Sequence, residues 1–302
     1  MIRFQPAPRM IGIACSLFAV LVWSGWMVLS SYSVRGSLTA YDITALRFGT
    51  AAVLLLPVVW RKGLRIGPYG IWGAVWLTLL MGAMYNTLCI IGFKFAPTSH
   101  GSIIQTTVLL LTTLGGMYLL RERLSRLQAV GILLSVVGIA CLLVASNASM
   151  PQMWIGHTLF FIGGVMWACY TLTLRKWAAD PLQVAGAVSF LSALMFLPVY
   201  FLYLPSTLGM HNLGEAGFQA LYQGVINSIF ALVCYNHAVK LLGAGTTSAF
   251  LPLVPVIASL MAMPVLGELP TLLEWSGIAL AALGVLMATG VIGRYLKKKP
   301  SS

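Results

Sequence analysis

Charge is what this chain lacks. Only 8% of its 302 residues are Asp, Glu, Lys or Arg, and just 6 are acidic. A soluble domain carries roughly 25% charge, so there is too little polar surface here to cover a water-facing globule. Lipid has to be the solvent for most of the chain. No acid falls near the centre of a long apolar run, and no Walker motif, metal-ligand spacing or nucleophile–base pair occurs. That pattern points away from an enzyme and predicts neither cofactor nor metal. The five cysteines (Cys15, Cys89, Cys141, Cys169, Cys234) lie inside apolar runs with no CxxC, and read as small buried hydrophobes. No basic helix face interleaved with aromatics appears, so the net charge of +12 does not point to nucleic acid.

What is present is length without polarity: hydrophobic residues make up 59% and the mean hydropathy is +0.92. A membrane span needs about 20 mostly apolar residues. Ten such segments can be marked, roughly 10–30, 41–60, 68–93, 99–120, 127–146, 154–174, 183–204, 217–239, 245–266 and 272–293. The first is too long for a cleaved signal peptide, and more spans follow it directly. Basic residues collect at alternate breaks: Arg3 and Arg9, then Arg61, Lys62 and Arg65, then Arg121, Arg123 and Arg126, then Arg175 and Lys176, then Lys240, and finally Arg294 and Lys297 to Lys299. The opposite breaks hold only Arg35 and Lys94. The cytoplasmic side of a membrane protein gathers the positive charge, so both termini are expected in the cytoplasm.

The chain also repeats itself. Shifted by 146 positions, Lys94 falls on Lys240, Ser102 on Ser248, Leu120 on Leu266, Glu122 on Glu268, Leu127 on Leu273, Gly131 on Gly277 and Gly138 on Gly284. A fixed offset of this kind signals duplication. Five spans per copy is an odd number, so the second copy must enter the membrane upside down. The expected fold is therefore an all-α membrane protein of ten transmembrane helices arranged as two inverted five-helix repeats, residues 1–148 and 149–302. Gly12 and Trp23 match Gly156 and Trp167 at an offset of 144, which extends the repeat to the first helix of each half.

Each half resembles the EamA repeat of the drug/metabolite transporter superfamily: an apolar helix, a lone Glu, a short link and a Gly-x6-Gly helix. Pro255 and Glu268 stand thirteen apart as in that pattern, and Arg47 matches the arginine usual in the first half's second helix. Leu109 stands where the first repeat would often carry proline. The aromatic-rich chain is similar to the YddG-type exporters of aromatic and other amino acids. The small multidrug antiporters of the superfamily carry a carboxylate in their first helix, and neither span 1 nor span 6 has one. The resemblance therefore implies a neutral or zwitterionic substrate.

Polar and aromatic residues at mid-depth are the candidates for lining a path, since burying them in lipid is costly. Trp23 and Trp167 each lie about three residues past the centre of their spans, ~4.5 Å at 1.5 Å per residue, and are expected to flank a central cavity from opposite sides. Asn227 and Tyr235 share a helical face with Ala231 in span 8. Met81 and Tyr85 share one in span 3, with Asn86 adjacent. Gln105 lies in span 4, and Pro252 in span 9 could bend the helix and free backbone carbonyls. Arg47 is expected either to pair with Asp42 or to capture a carboxylate, and Glu122 and Glu268 to anchor the helices that follow them. His157 and His237 stand near span ends, so no buried titrating relay is expected.

Together these readings predict a multi-pass inner-membrane transporter that exports amino acids by alternating access, with a small molecule and membrane lipid as its partners. The alternatives are a drug or nucleotide-sugar carrier of the same superfamily, a lipid scramblase or an intramembrane enzyme. A nucleotide diphosphate would need several cations in the cavity, and the spans offer only Arg47.

Overall fold

The structure is a computed structural model that describes residues 8–119, 125–146, 152–242 and 244–288. Among these residues all regular structure is helical. The helices are α1 (Pro8–Arg35), α2 (Ala40–Lys62), α3 (Ile71–Phe95), α4 (Ser102–Leu119), α5 (Arg126–Ser146), α6 (Met153–Trp177), α7 (Pro181–Tyr203), α8 (Met210–Leu242), α9 (Thr246–Leu266) and α10 (Leu272–Ala288). Eight are long and apolar enough to cross a bilayer; α4, with 18 residues, and α10, with 17, are the other two. Mid-helix residues such as Val53 (72% exposed) and Leu133 (63%) face outward. Side chains of that kind belong in hydrocarbon.

The packing respects the 146-residue repeat. α5 packs on α10 and α2 on α7, each helix against its own counterpart. α1 packs on α8 and α9, while the equivalent α6 packs on α3 and α4. The self-pairs run antiparallel. A Cβ at Gly131 would lie 2.6 Å from the Gly284 carbonyl oxygen, and one at Gly277 would lie 2.7 Å from that of Gly138. Close backbone approach of this kind is how small residues hold helices together in lipid, where apolar surface alone provides no drive. In α2 and α7 the order is likewise reversed, with Asp42 meeting Tyr200 at one end and Lys62 meeting Asp180 at the other.

Polar residues set the helix starts. Thr39 and Asp42 form a capping box at α2. Ser125 with Gln128 and Thr271 with Glu274 form the same reciprocal pair before α5 and α10, again 146 apart. The lone Glu268 was expected to anchor α10, but Glu274 caps that helix instead. Glu122 lies outside the described residues. At the opposite end, hydrogen bonding from Lys62 holds the Asp180 carboxyl below the usual carboxylate range.

Irregular backbone falls in equivalent places. α3 is interrupted at Gly82, where a Cβ would press on Ser192 Oγ and the Thr78 carbonyl. α8 carries a π-helical stretch, Ala220–Phe230, in which Ser228 Oγ donates to the Gln223 carbonyl at 2.8 Å. Ser228 is the 146-residue counterpart of Gly82. α9 is interrupted at Pro252, one of the prolines singled out in the sequence. It is broken into Ala244–Ser248 and Leu253–Leu266, and Pro252 sits at the cap of the second piece with Pro255 in its first turn. Proline is tolerated in those positions because the missing N–H would have had no partner there.

The α5–α10 crossing generates a test. Gly138→Leu should lower the thermal unfolding midpoint of the purified protein by several degrees, since overpacking costs about 1–3 kcal/mol. Gly214→Ala, where a Cβ meets nothing within 4 Å, should leave it unchanged.

Candidate functional site

Two aromatic pairs occupy related positions in the bundle. Trp23 of α1 lies against Tyr235 of α8, with ring centroids 5.2 Å apart and planes at 51°. Trp167 of α6 lies against Tyr85 of α3 at 6.3 Å and 73°. Under the repeat α1 corresponds to α6 and α8 to α3, so a Trp–Tyr contact is built twice between corresponding helices, although at the 146-residue offset Tyr85 falls on Ala231 and Tyr235 on Cys89. Trp23, Met81, Tyr85 and Trp167 all pack on a single buried cluster that includes Met27, Cys89, Phe93, Ile104 and Phe160. Four of the residues singled out in the sequence thus share one core, and Tyr235 joins them through Trp23.

The remaining three are less closely tied to that centre. Asn227 is buried at 6% exposure within the π-helical stretch, on the same inward side as Ala231. Gln105 Oε1 and the neighbouring Thr106 Oγ1 are buried without a hydrogen-bond partner. Pro252 is buried at the α9 break. Neither Gln105 nor Asn227 makes a hydrogen bond to the aromatic pairs among the described residues.

Arg47 is not tied to Asp42 as one of the two expectations had it. Asp42 accepts instead from Tyr200 Oη (2.6 Å), Ser206 Oγ (2.7 Å), Thr207 Oγ1 (2.9 Å) and the Thr39 and Thr207 amides (2.8 and 3.1 Å). Those five donors satisfy the carboxylate completely. Arg47 Nη1 donates to Asn86 Oδ1 at 2.8 Å, and Asn86 Nδ2 donates to Thr44 Oγ1 at 3.0 Å. Asn86 is fully buried beside Tyr85. The Nε of Arg47 is buried with no partner, and no carboxylate among the described residues lies within ion-pair distance of it. A buried guanidinium left this way can still accept an anionic ligand.

One end of the bundle is tied shut across the two halves. Arg35, at the end of α1, donates through Nη1 to Glu268 Oε1 (2.7 Å), through Nε to the Phe93 carbonyl (2.8 Å) and through Nη2 to the Ala96 carbonyl (2.8 Å). Glu268 Oε2 also accepts from the Thr98 amide at 2.9 Å. Beside this clamp Ser33 and Ser37 donate to Glu215. Gln219 Nε2 reaches Ser33 Oγ at 2.8 Å, and Gln223 Nε2 reaches Ser30 Oγ at 3.0 Å.

At the same end lies a group that sequence reading missed. His100 is fully buried, with Nδ1 2.8 Å from His157 Nε2 and Nε2 3.1 Å from Glu274 Oε1. The sequence reading placed His157 near a span end and did not anticipate this buried contact. Neither histidine carries a local motif, and 57 residues separate them in sequence. The S/T-x-x-E/Q signature at Thr271 could have marked Glu274. A separate apolar groove of about 380 Å³, lined by Tyr41, Thr78, Met84, Ser192, Met195 and Phe196 among others, touches none of the predicted site residues.

A duplicated helical bundle in lipid, cross-tied at one end and carrying a buried cation and paired aromatics inside, has the form of a membrane transporter. Residues 10–144 and 154–290 each match the EamA-like transporter family. The chain belongs to that family. It is 29% identical to the uncharacterized transporter YyaM of Bacillus subtilis (strain 168), over 91% of this chain and 92% of that protein. It is 24% identical to the uncharacterized inner membrane transporter YedA of Escherichia coli (strain K12), over 97% and 94%. A solved crystal structure of a chain 22% identical superimposes with a TM-score of 0.62, covering 95% of this chain and 99% of that one, a likeness of fold.

The clamp predicts that Arg35→Gln raises deuterium uptake in residues 93–98 and 266–270. Lys62→Gln should leave uptake at those segments unaltered, because its exposed pair with Asp180 is worth at most about 1 kcal/mol and lies at the other end.

Proposed function

We propose that this transporter exports amino acids, aromatic and other apolar ones, across the bacterial inner membrane. Ten helices form two inverted five-helix halves, residues 1–148 and 149–302, with both termini cytoplasmic. The charge count supports that orientation, and it makes the Arg35–Glu268 clamp the outer gate. The antiparallel self-pairing of α2 with α7 and of α5 with α10 supports the inversion. Transporters built from inverted repeats hold substrate at the repeat interface and alternate access around it. The similarity to a protein named as an inner membrane transporter supports the location.

The observation that carries the substrate class is the twice-built Trp–Tyr contact. Aromatic faces suit an apolar or aromatic side chain. Trp23, Met81, Tyr85, Trp167 and Tyr235 would surround that side chain, with Gln105, Asn227 and Pro252 supplying polar contacts at the edge of the pocket. Arg47, held by Asn86 next to Tyr85, has a free N–H for the substrate carboxylate. The carboxylate of a zwitterion would meet this cation, and its ammonium would meet neutral acceptors such as the unpartnered Gln105 Oε1.

Proteoliposomes containing the purified protein should accumulate labelled L-tryptophan, L-phenylalanine or L-leucine above empty vesicles. Failure with all three would overturn the reading. Trp23→Ala or Trp167→Ala should weaken L-tryptophan binding about 2- to 10-fold, the equivalent of ~0.5–1.5 kcal/mol for an aromatic pair. Arg47→Gln should weaken it about 10- to 100-fold, as expected for a lost charged hydrogen bond of ~1.5–3 kcal/mol. Tryptamine, which lacks the carboxylate, should not distinguish wild type from Arg47→Gln.

A further inference from the structure

The groove between α2, α3 and α7 has no part in the transport reading. It measures about 380 Å³, within the ~300–1,000 Å³ usual for small-molecule sites. Its walls come from Tyr41 at the start of α2, from α3 on both sides of the Gly82 break, and from α7 between Ser192 and Val199.

Three of its four hydroxyl groups are already engaged by the protein. Thr78 Oγ1 donates to the Ala74 carbonyl at 2.8 Å, and Thr87 Oγ1 donates to Thr44 Oγ1 at 3.0 Å. Ser192 Oγ accepts from the Ala83 amide at 3.2 Å. Apart from the fourth, Tyr41, the remaining lining side chains are apolar. A polar solute would give up its water there without finding partners, which is costly. The groove suits hydrocarbon.

Its position says which hydrocarbon. Leu79, Met84, Met195 and Val199 line the groove and are exposed, so it opens sideways onto the bilayer. The deep end lies at mid-span, since Ala83 and Ser192 stand at the middle of α3 and α7. From there the groove runs to Ile91 and Val199, toward the end of the bundle that carries the Arg35 clamp. The rise from Ala83 to Ile91 is about 12 Å at 1.5 Å per residue. One leaflet of hydrocarbon is about 15 Å deep, half of the bilayer core. Tyr41 stands at the clamp end, in the first turn of α2, and tyrosine favours the headgroup boundary. A slot one leaflet deep, apolar along its length and finished by a phenol, has the form of a lipid tail.

We propose that this groove binds one acyl chain of a phospholipid from the leaflet on the clamp side. The methionines at its edge suit such a ligand, because unbranched thioether side chains repack around a flexible chain. The tail lies across the α3 break, where Ser192 holds the Ala83 amide. The same wall leads to Arg47. Thr44 Oγ1 accepts from both Thr87 and Asn86, and Asn86 accepts from Arg47. Lipid in the groove therefore braces the part of α3 that carries Tyr85 and Asn86. The inference depends on the groove meeting hydrocarbon, not on which solute is carried.

Native mass spectrometry of the delipidated full-length protein tests it, with dioleoyl phosphatidylglycerol and dioleoyl phosphatidylethanolamine as probes. The first molecule of either lipid should bind about 10-fold more tightly than those that follow, the equivalent of ~1.4 kcal/mol. Met84→Trp and Val199→Trp place a bulky ring at the exposed edge of the groove, and each should remove that tighter step. Leu133→Trp, on the lipid-facing side of α5, should retain it. Bound lipid should also slow deuterium uptake of residues 80–88 in the wild type but not in Met84→Trp. Uniform binding of every lipid molecule, or a tight step that survives in either groove variant, would overturn the proposal. So would a tight step seen with only one of the two headgroups. A dimer that Met84→Trp dissolves would give the groove to a second copy of the chain and overturn it as well.

Discussion

Hydrocarbon gives a helix no polar partner, so every hydrogen-bonding group that leaves the water must find one inside the bundle or remain open for a ligand. The structure follows from that constraint. Asp42 is surrounded by five donors drawn from the cap of α2, the last turn of α7 and the link that follows α7. Ser24 in mid-helix donates both to its own Val20 carbonyl at 2.8 Å and across to Val254 in the other half at 3.0 Å. Where helices must touch without polar help, glycine lets their backbones meet, as at the α5–α10 crossing. The exceptions to full satisfaction are few among the described residues, and they include Arg47 Nε, Gln105 Oε1 and Gln223 Oε1. In a lipid-solvated protein such orphans mark the places where a passing solute can be recognised.

The architecture was legible because it rests on global properties of the chain. Scarce charge named the solvent, and a fixed offset carried by Glu and Gly residues marked the duplication. The aromatic residues were also legible, since Trp23 and Trp167 stand at matching depths in matching helices. The contacts each makes were not, because Tyr85 and Tyr235 lie 150 apart rather than 146 and reach their partners through irregular helices. Local conformation was least visible. A period of 3.6 assumed for α8 does not describe Ala220–Phe230, and an Asp five residues before an Arg suggested a pair that five nearer donors prevent. His100 gave no sign at all, because its partners come from helices far along the chain.

The clamp and the aromatic centre divide the labour between end and middle. Each of the three nitrogens of Arg35 donates, to the Phe93 and Ala96 carbonyls at the end of α3 and to Glu268, so one side chain holds three helix ends. Rigid elements with a few polar ties at their tips can exchange one closed end for the other without repacking the interior, as rocking of paired repeats requires. The breaks in α3 and α9 and the π-helical stretch in α8 lie on helices that contribute to the centre. Irregular backbone there is tolerated where neighbouring helices take up the freed groups.

The paired caps of α5 and α10 show what descent from one ancestral unit leaves open. Both copies begin their last helix with the same reciprocal hydroxyl–side-chain knot, yet Gln128 closes it in one and Glu274 in the other. The amide and the acid do the same mechanical job and differ only in ionisation. One of the two sister knots therefore also reaches His100, and a one-residue divergence between sister segments is enough to make them chemically unequal.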